Sequence, residues 1–397
     1  IQEEEGGRNW EDWPKPLRER KREALLGFQN KHAQRVRFYE WLQFELYQQL
    51  RDVRRYARRK KVLLAGDVPF LPSRRSADVW AHAEYFKLDL ASGAPPDAYF
   101  FKGQRWGMPP VRWGVLKTHS CDYLRARLRY AEQFYDVLRL DHVVGYFRLW
   151  TIPVREPFEN AGLHGSFDPP HEDLWEEQGR ELLSIILRNT KALITAEDLG
   201  TVPACTWRVL EELGIPGADV QRWAKDGGRD WAFLEPERYR ANSIAMLSTH
   251  DMSPLDAWWT YEAGAVYEPL FKRLSKQAGI DFGLVRDKLF DRHRSKPDWL
   301  RWREEIGAIE VLAGQLKRPF GKLAPIFDLY RRSFYEREKF WDYLGLPFPC
   351  PEKASPRLRR RALEKVSSAR SIWSIQFLQD WLSLGPVFQG DPCDRRI

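Results

Sequence analysis

Three acidic residues, each following a short apolar run, have the types and spacing for one kind of chemistry. Asp141 follows "YDVLRL", Glu197 follows "KALITA" and Asp251 follows "NSIAMLSTH". They stand 56 and 54 residues apart, the length of one strand–helix–strand unit plus insertions. In a (β/α) barrel every strand ends at the same rim, where the active site is built. Three carboxylates delivered there can meet in one pocket although they are distant in sequence. Glycosidic chemistry needs such a set: a carboxylate to attack the sugar, a protonated acid for the leaving oxygen, and a third charge facing the cationic transition state. Each acid also has a plain structural alternative. Asp141 could be a surface acid at a strand end. Either Glu197 or its neighbour Asp198 could cap the next helix, and Asp251 could cap the helix that opens at "SPLDAWW".

The elements needed to carry these acids can be read along the chain. Residues 17–60 carry Phe38, Trp41, Leu42 and Leu46 at three- and four-residue steps, which predicts a helix. "VLLAGD" then reads as a buried strand ending at Asp67. Residues 68–115 are rich in Pro, Gly and aromatics, and a connection that long in a compact domain is usually functional. A helix around 118–134 leads to the strand ending at Asp141, and a helix over 171–189 leads to the strand ending at Glu197. "TVPACTWRVLEELGIPG" reads as a helix with a Gly stop, "ADVQRW" as a short strand, and a further strand ends at Asp251. Residues 255–370 are charged, aromatic and mostly helical, too long for an ordinary connection, and read as an insertion. "SIWSIQFLQDWLSLG" reads as a returning strand and turn. Alternating strands and helices predict an α/β fold with a parallel sheet.

Composition narrows the function classes. The net charge of +8 is concentrated in "RRYARRKK" and "RLRRRALEK", which read as solvated helix faces and ends rather than a nucleic-acid patch. No apolar run approaches the ~20 residues of a membrane span. The four cysteines are scattered, pointing to a reduced, cytoplasmic setting, and the eight histidines show no metal-ligand spacing. No phosphate loop or dinucleotide fingerprint is present. The 18 tryptophans are mostly core material, although an aromatic face can also line a groove for sugar rings. Trp106 is read as a sugar contact and Trp80 as a packing anchor.

Six stretches, "GDVPFLPSRRSADVW", "PPDAYFFKGQRWG", "LRLDHVVGYFRLWTIP", "AEDLGTVP", "LGIPGADVQRW" and "STHD", occur in an order that resembles the 4-α-glucanotransferase (amylomaltase, or disproportionating enzyme) family over nearly the whole chain. The resemblance implies a (β/α)8 TIM-type barrel with inserted helical subdomains. Residues 1–397 would be a partial catalytic barrel, 68–115 a substrate-binding loop insertion and 255–370 a mostly helical insertion. It further implies Asp141 as nucleophile, Glu197 as acid/base and Asp251 as transition-state stabiliser. Arg139 would hold the nucleophile ionised, and His142 and His250 would contact sugar hydroxyls. Asp67 matches an acid ending an earlier strand, and Asp97, Tyr99, Gln104 and Trp106 fall in a loop over bound glucan. The implied partners are maltodextrin or other α-1,4-glucan donors and acceptors, with no cofactor, nucleic acid or membrane.

Some positions depart from the family pattern. Val143 and Val144 replace Phe and Arg, Ala98 stands where a tyrosine is common, and Met252 stands where Asn is common. The resemblance places Asp67, Asp141, Glu197 and Asp251 on the third, fourth, fifth and seventh strands. The expectation is therefore of a fragment cut at both ends and lacking the first two strands. An α-amylase-type glucan hydrolase and a non-catalytic glucan-binding protein are the alternative functions.

Overall fold

The computed structural model describes residues 1–96 and 102–385, which divide into two compact units, Ile1–Gly217 and Ala218–Ile397. In the first unit the strands are β1 (Ala65–Val68), β2 (Leu90–Ala94), β3 (Gln104–Arg105), β4 (Val137–Leu140), β5 (Leu149–Pro153), β6 (Ser166–Asp168) and β7 (Leu193–Ala196). β1, β4 and β7 form a parallel sheet in that order. The connections to β4 and β7 contain helices Asp122–Ala131 and Asp173–Arg188, as parallel pairing requires a crossover. Leu138, Leu140, Ile194 and Ala196 belong to the core that also holds Leu128, Leu182 and Ile186 of those helices.

The 17–60 region is not one helix. It breaks at His32, where φ is −116° and ψ 29°, into Arg22–Lys31 and the 27-residue helix Ala33–Arg59. Its apolar stripe does not face a core in this unit: Phe38, Trp41, Phe44 and Leu46 are each more than half exposed. Its basic end is more than a solvated face. Arg54 and Arg58 both donate to the Asp136 carboxylate, at 2.9 and 3.0 Å, just before β4. The described part of 68–115 supplies β2 and β3 to a second, antiparallel sheet of order β3–β2–β5–β6, which the parallel reading did not anticipate.

The second unit has strands β8 (Gly217–Val220), β9 (Lys225–Asp226), β10 (Ala232–Phe233), β11 (Ser243–Met246), β12 (Ala265–Tyr267), β13 (Phe290–Lys296), β14 (Trp299–Trp302) and β15 (Trp373–Ser374). β8, β11 and β15 form one sheet with β11 at its centre, and β11 and β15 run parallel. The returning segment is thus a two-residue strand followed by a short helix, Leu378–Leu382. Residues 255–370 hold helices such as Phe320–Ser333 and Pro356–Ser367 together with an antiparallel sheet of order β12–β14–β13. That sheet packs on its own cluster, with Phe271, Phe290, Leu300 and Trp302 inside. Among the described residues no helix is long and apolar enough to cross a membrane.

Candidate active site

Strand periodicity gathers the charged residues of the first unit. Asp67 pairs across the sheet with Arg139, and Arg139 with Thr195. Successive side chains alternate between faces, so Asp67, Arg139, Asp141, Thr195 and Glu197 share one face while Leu138, Leu140, Ile194 and Ala196 take the core side. The ladder continues past the strand ends. The Asp141 N–H donates to Val68 O at 3.2 Å and the Glu197 N–H to Leu140 O at 3.0 Å. Both acids are therefore held by main chain before any side-chain contact is counted.

One guanidinium joins the carboxylates. Arg139 Nη1 lies 2.7 Å from both oxygens of Asp67 and 3.2 Å from Asp141 Oδ1, and Nη2 lies 3.2 Å from Glu197 Oε2. Burial alone would lower the arginine pKa, but the bond to Asp67 and the charges of Glu197, Asp67 and Asp141 outweigh it and raise it. Glu197 behaves differently. Burial pushes its carboxyl up to about 7; the His142 N–H and Arg139 oppose the shift, and Asp141 adds to it. The acid is thereby poised to hold a proton near neutrality beside a second carboxylate.

His142 occupies the left-handed region, with φ 43° and ψ 56°. That turn aims its N–H at Glu197 Oε2, 2.9 Å away. Its ring meets Trp106 and Phe70 edge-on, at 4.8 and 5.9 Å between centroids, and burial pushes its pKa down to about 4. The imidazole is neutral at pH 7, able to give or accept one hydrogen bond at each nitrogen. Trp106 Nε1 donates to Gln104 Oε1 at 3.0 Å, and the Trp106 N–H is fixed on Ser92 O. The antiparallel sheet thus brings Gln104 and Trp106 to the first acid's neighbour. Asp97 and Tyr99 lie outside the described residues. Trp80 is a packing residue: it meets Trp13 edge-on at 5.4 Å and donates to Leu17 O.

Two residues near the site escaped the sequence reading. Phe70 supports the His142 ring, and the only signal was its place three residues after Asp67 inside "GDVPFLP". Gly217 backs Asp198, which is buried: a Cβ there would sit 2.5 Å from Asp198 Oδ2, so only glycine fits. Asp198 is thus buried against Gly217, whereas Glu197 reaches the Arg139 cluster.

In the second unit β11 leads into a turn closed by the Met252 N–H on Thr249 O at 3.0 Å. His250 and Asp251 occupy its centre, 56% and 75% exposed at their side chains and 3.4 Å apart between Nε2 and Oδ2. Asp251 is not a helix cap, because Pro254 holds the N-cap position of Leu255–Ala257. Among the described residues no cluster of three or more His, Cys, Asp or Glu could hold a metal ion. Within the acid cluster the central position belongs to Arg139.

An α/β chain with acids past parallel strands, drawn together by an arginine, is the kind of site that glycoside-processing enzymes use. A family model described as 4-alpha-glucanotransferase matches residues 1–389, and the chain belongs to that family. It is 36% identical over 277 residues to a 4-alpha-glucanotransferase of Chlamydia pneumoniae, covering 68% of this chain and 51% of that one. The 4-alpha-glucanotransferase of Aquifex aeolicus is 31% identical over 308 residues, covering 74% and 60%. The chain spans about half the length of the curated relatives it matches. An amylomaltase from Streptococcus agalactiae, solved in complex with acarbose, shares the fold with a TM-score of 0.66 at 22% identity over 96% of this chain and 62% of that one.

Proposed function

We propose that this chain carries the catalytic residues of a 4-α-glucanotransferase, which moves α-1,4-glucan segments from one maltodextrin to another. The observation that carries the reading is the Arg139 cluster, in which Glu197 holds a proton beside Asp141. Asp141 attacks the anomeric carbon, forming a C–O bond as the glycosidic bond breaks, and Glu197 gives its proton to the departing oxygen. The acceptor 4-hydroxyl then displaces Asp141 and returns a proton to Glu197. Asp141 lies close enough to raise the Glu197 pKa, a closeness that favours double displacement over the wider gap that an inverting water needs.

Asp251 is the third charge, with His250 beside it, and His142, Gln104 and Trp106 line the glucan path. The full architecture is read as a (β/α)8 barrel in which residues 68–115 and 255–370 are insertions. The acids past β4, β7 and β11 support it, because barrel enzymes place their chemistry after strand C-termini. The chemistry itself uses only protons and one covalent bond, so no cofactor is assigned. A cytoplasmic setting accords with free thiols at Cys121, Cys205 and Cys350.

The test is to incubate the chain with maltotriose and follow both chain lengths and reducing ends. Transfer yields a ladder of longer and shorter maltodextrins at a constant number of reducing ends. New reducing ends in step with substrate loss would make it a hydrolase, and binding without products a glucan-binding protein.

A further inference from the structure

The loop that presents His250 and Asp251 is gripped at both ends by one buried arginine. Arg222 follows β8 by two residues and is 1% exposed. Its Nε donates to Leu247 O at 3.2 Å and its Nη2 to Ser253 O at 2.6 Å. Between these carbonyls the chain runs from buried Leu247, Ser248 and Thr249 out to the exposed His250 and Asp251, then back. Gln376 adds a second hold at the entrance, accepting from the Leu247 N–H at 2.8 Å. The guanidinium lies 5.5 Å from the Trp258 ring centroid.

Packing alone does not account for this residue. A buried charge carries a desolvation penalty that an apolar side chain of similar volume avoids. Here burial lowers the arginine pKa to about 10, opposed by the charges of Asp380, Glu262 and Glu336, so it stays charged at pH 7. Among the described residues its Nη1 is buried without a hydrogen-bond partner, so its geometry is set by the two loop carbonyls. A planar fork spans two carbonyls at fixed separation, which an ammonium cannot do.

We propose that Arg222 is a positioning residue for Asp251: it fixes the neck of the loop 247–253 and, through it, the direction in which that carboxylate is presented. The proposal rests on the assignment of Asp251 to glycosyl transfer made above. The test compares R222K, D251N and the double variant with the unaltered full chain, using α-maltotriosyl fluoride as donor and maltose as acceptor. R222K should melt cooperatively and lose on the order of 10²-fold in kcat. Its KM should move by less than about threefold, since the loss lies in the transition state. The double variant should be no slower than D251N alone, because both changes act through one carboxylate.

Wild-type turnover by R222K, or losses that multiply in the double variant, would overturn the proposal. Full activity in D251N would instead remove the assignment beneath it, and that arm is read separately. Amide exchange on the unaltered chain tests the grip even if R222K unfolds. The Met252 N–H should exchange at least about tenfold more slowly than an open loop, and open-loop exchange would contradict the clamp.

Discussion

Burial sets the protonation of Glu197, with Arg139 opposing it and Asp141 adding to it. Asp67, Asp141 and Glu197 around one guanidinium leave an excess of negative charge when all are ionised, and the proton settles on buried Glu197. Its carboxyl is raised from an ordinary 4.5 to about 7, so the acid form persists up to neutrality and is lost as pH rises further. Transfer from maltodextrins should therefore fall as pH climbs through about 7. Glu197→Gln should abolish transfer from maltodextrins but spare the first step with an α-glucosyl fluoride, whose leaving group needs no proton. Equal loss with both donors would remove Glu197 from the acid role. Asp141, Glu197 and Asp251 stood out in the sequence because each follows an apolar run, whereas Arg139 was picked out by the family resemblance. The left-handed backbone at His142 was not legible, since nothing in a non-glycine residue announces it.

Between elements, Asp136 ties the long helix Ala33–Arg59 to the entry of β4. Its carboxylate accepts from Arg54, Arg58 and the Leu64 N–H, the last at 3.2 Å. Burial raises its pKa, but these three donors outweigh it and hold the carboxyl below the ordinary 3.8. A depressed folded pKa contributes stability above the unfolded value, lost as pH falls through the folded one. Asp136→Ala leaves the half-buried Arg54 charge uncompensated, whereas Arg58 is exposed and matters little. The expected loss is about 2 kcal/mol at pH 7 by denaturant unfolding, shrinking below pH 4; a loss unchanged at pH 3 would show that charge is not the cause. The sequence displayed the basic run but not its partner, because Asp136 is 78 residues away from Arg58. It likewise concealed the antiparallel sheets: β3, β9, β10 and β12 are each two or three residues long, too short to show a two-residue period. The break at His32 carries no Gly or Pro to mark it.

At the scale of the whole chain, the family assignment and the acid cluster both support the proposed transfer chemistry. Each unit carries its own core, and each presents acids beyond a sheet containing parallel strands. That much followed from the order of apolar runs and acids, whereas the short strands within 255–370 had to be seen. The central claim is that Asp141 becomes covalently glycosylated. It is tested by treating the Glu197→Gln chain with α-glucosyl fluoride, digesting it and locating the modification by mass spectrometry. The account predicts one glucosyl unit on the peptide containing Asp141, and none when Asp141→Asn is added. A glucosyl unit on Asp67 or Asp251, or fluoride release with no protein adduct at all, would contradict it.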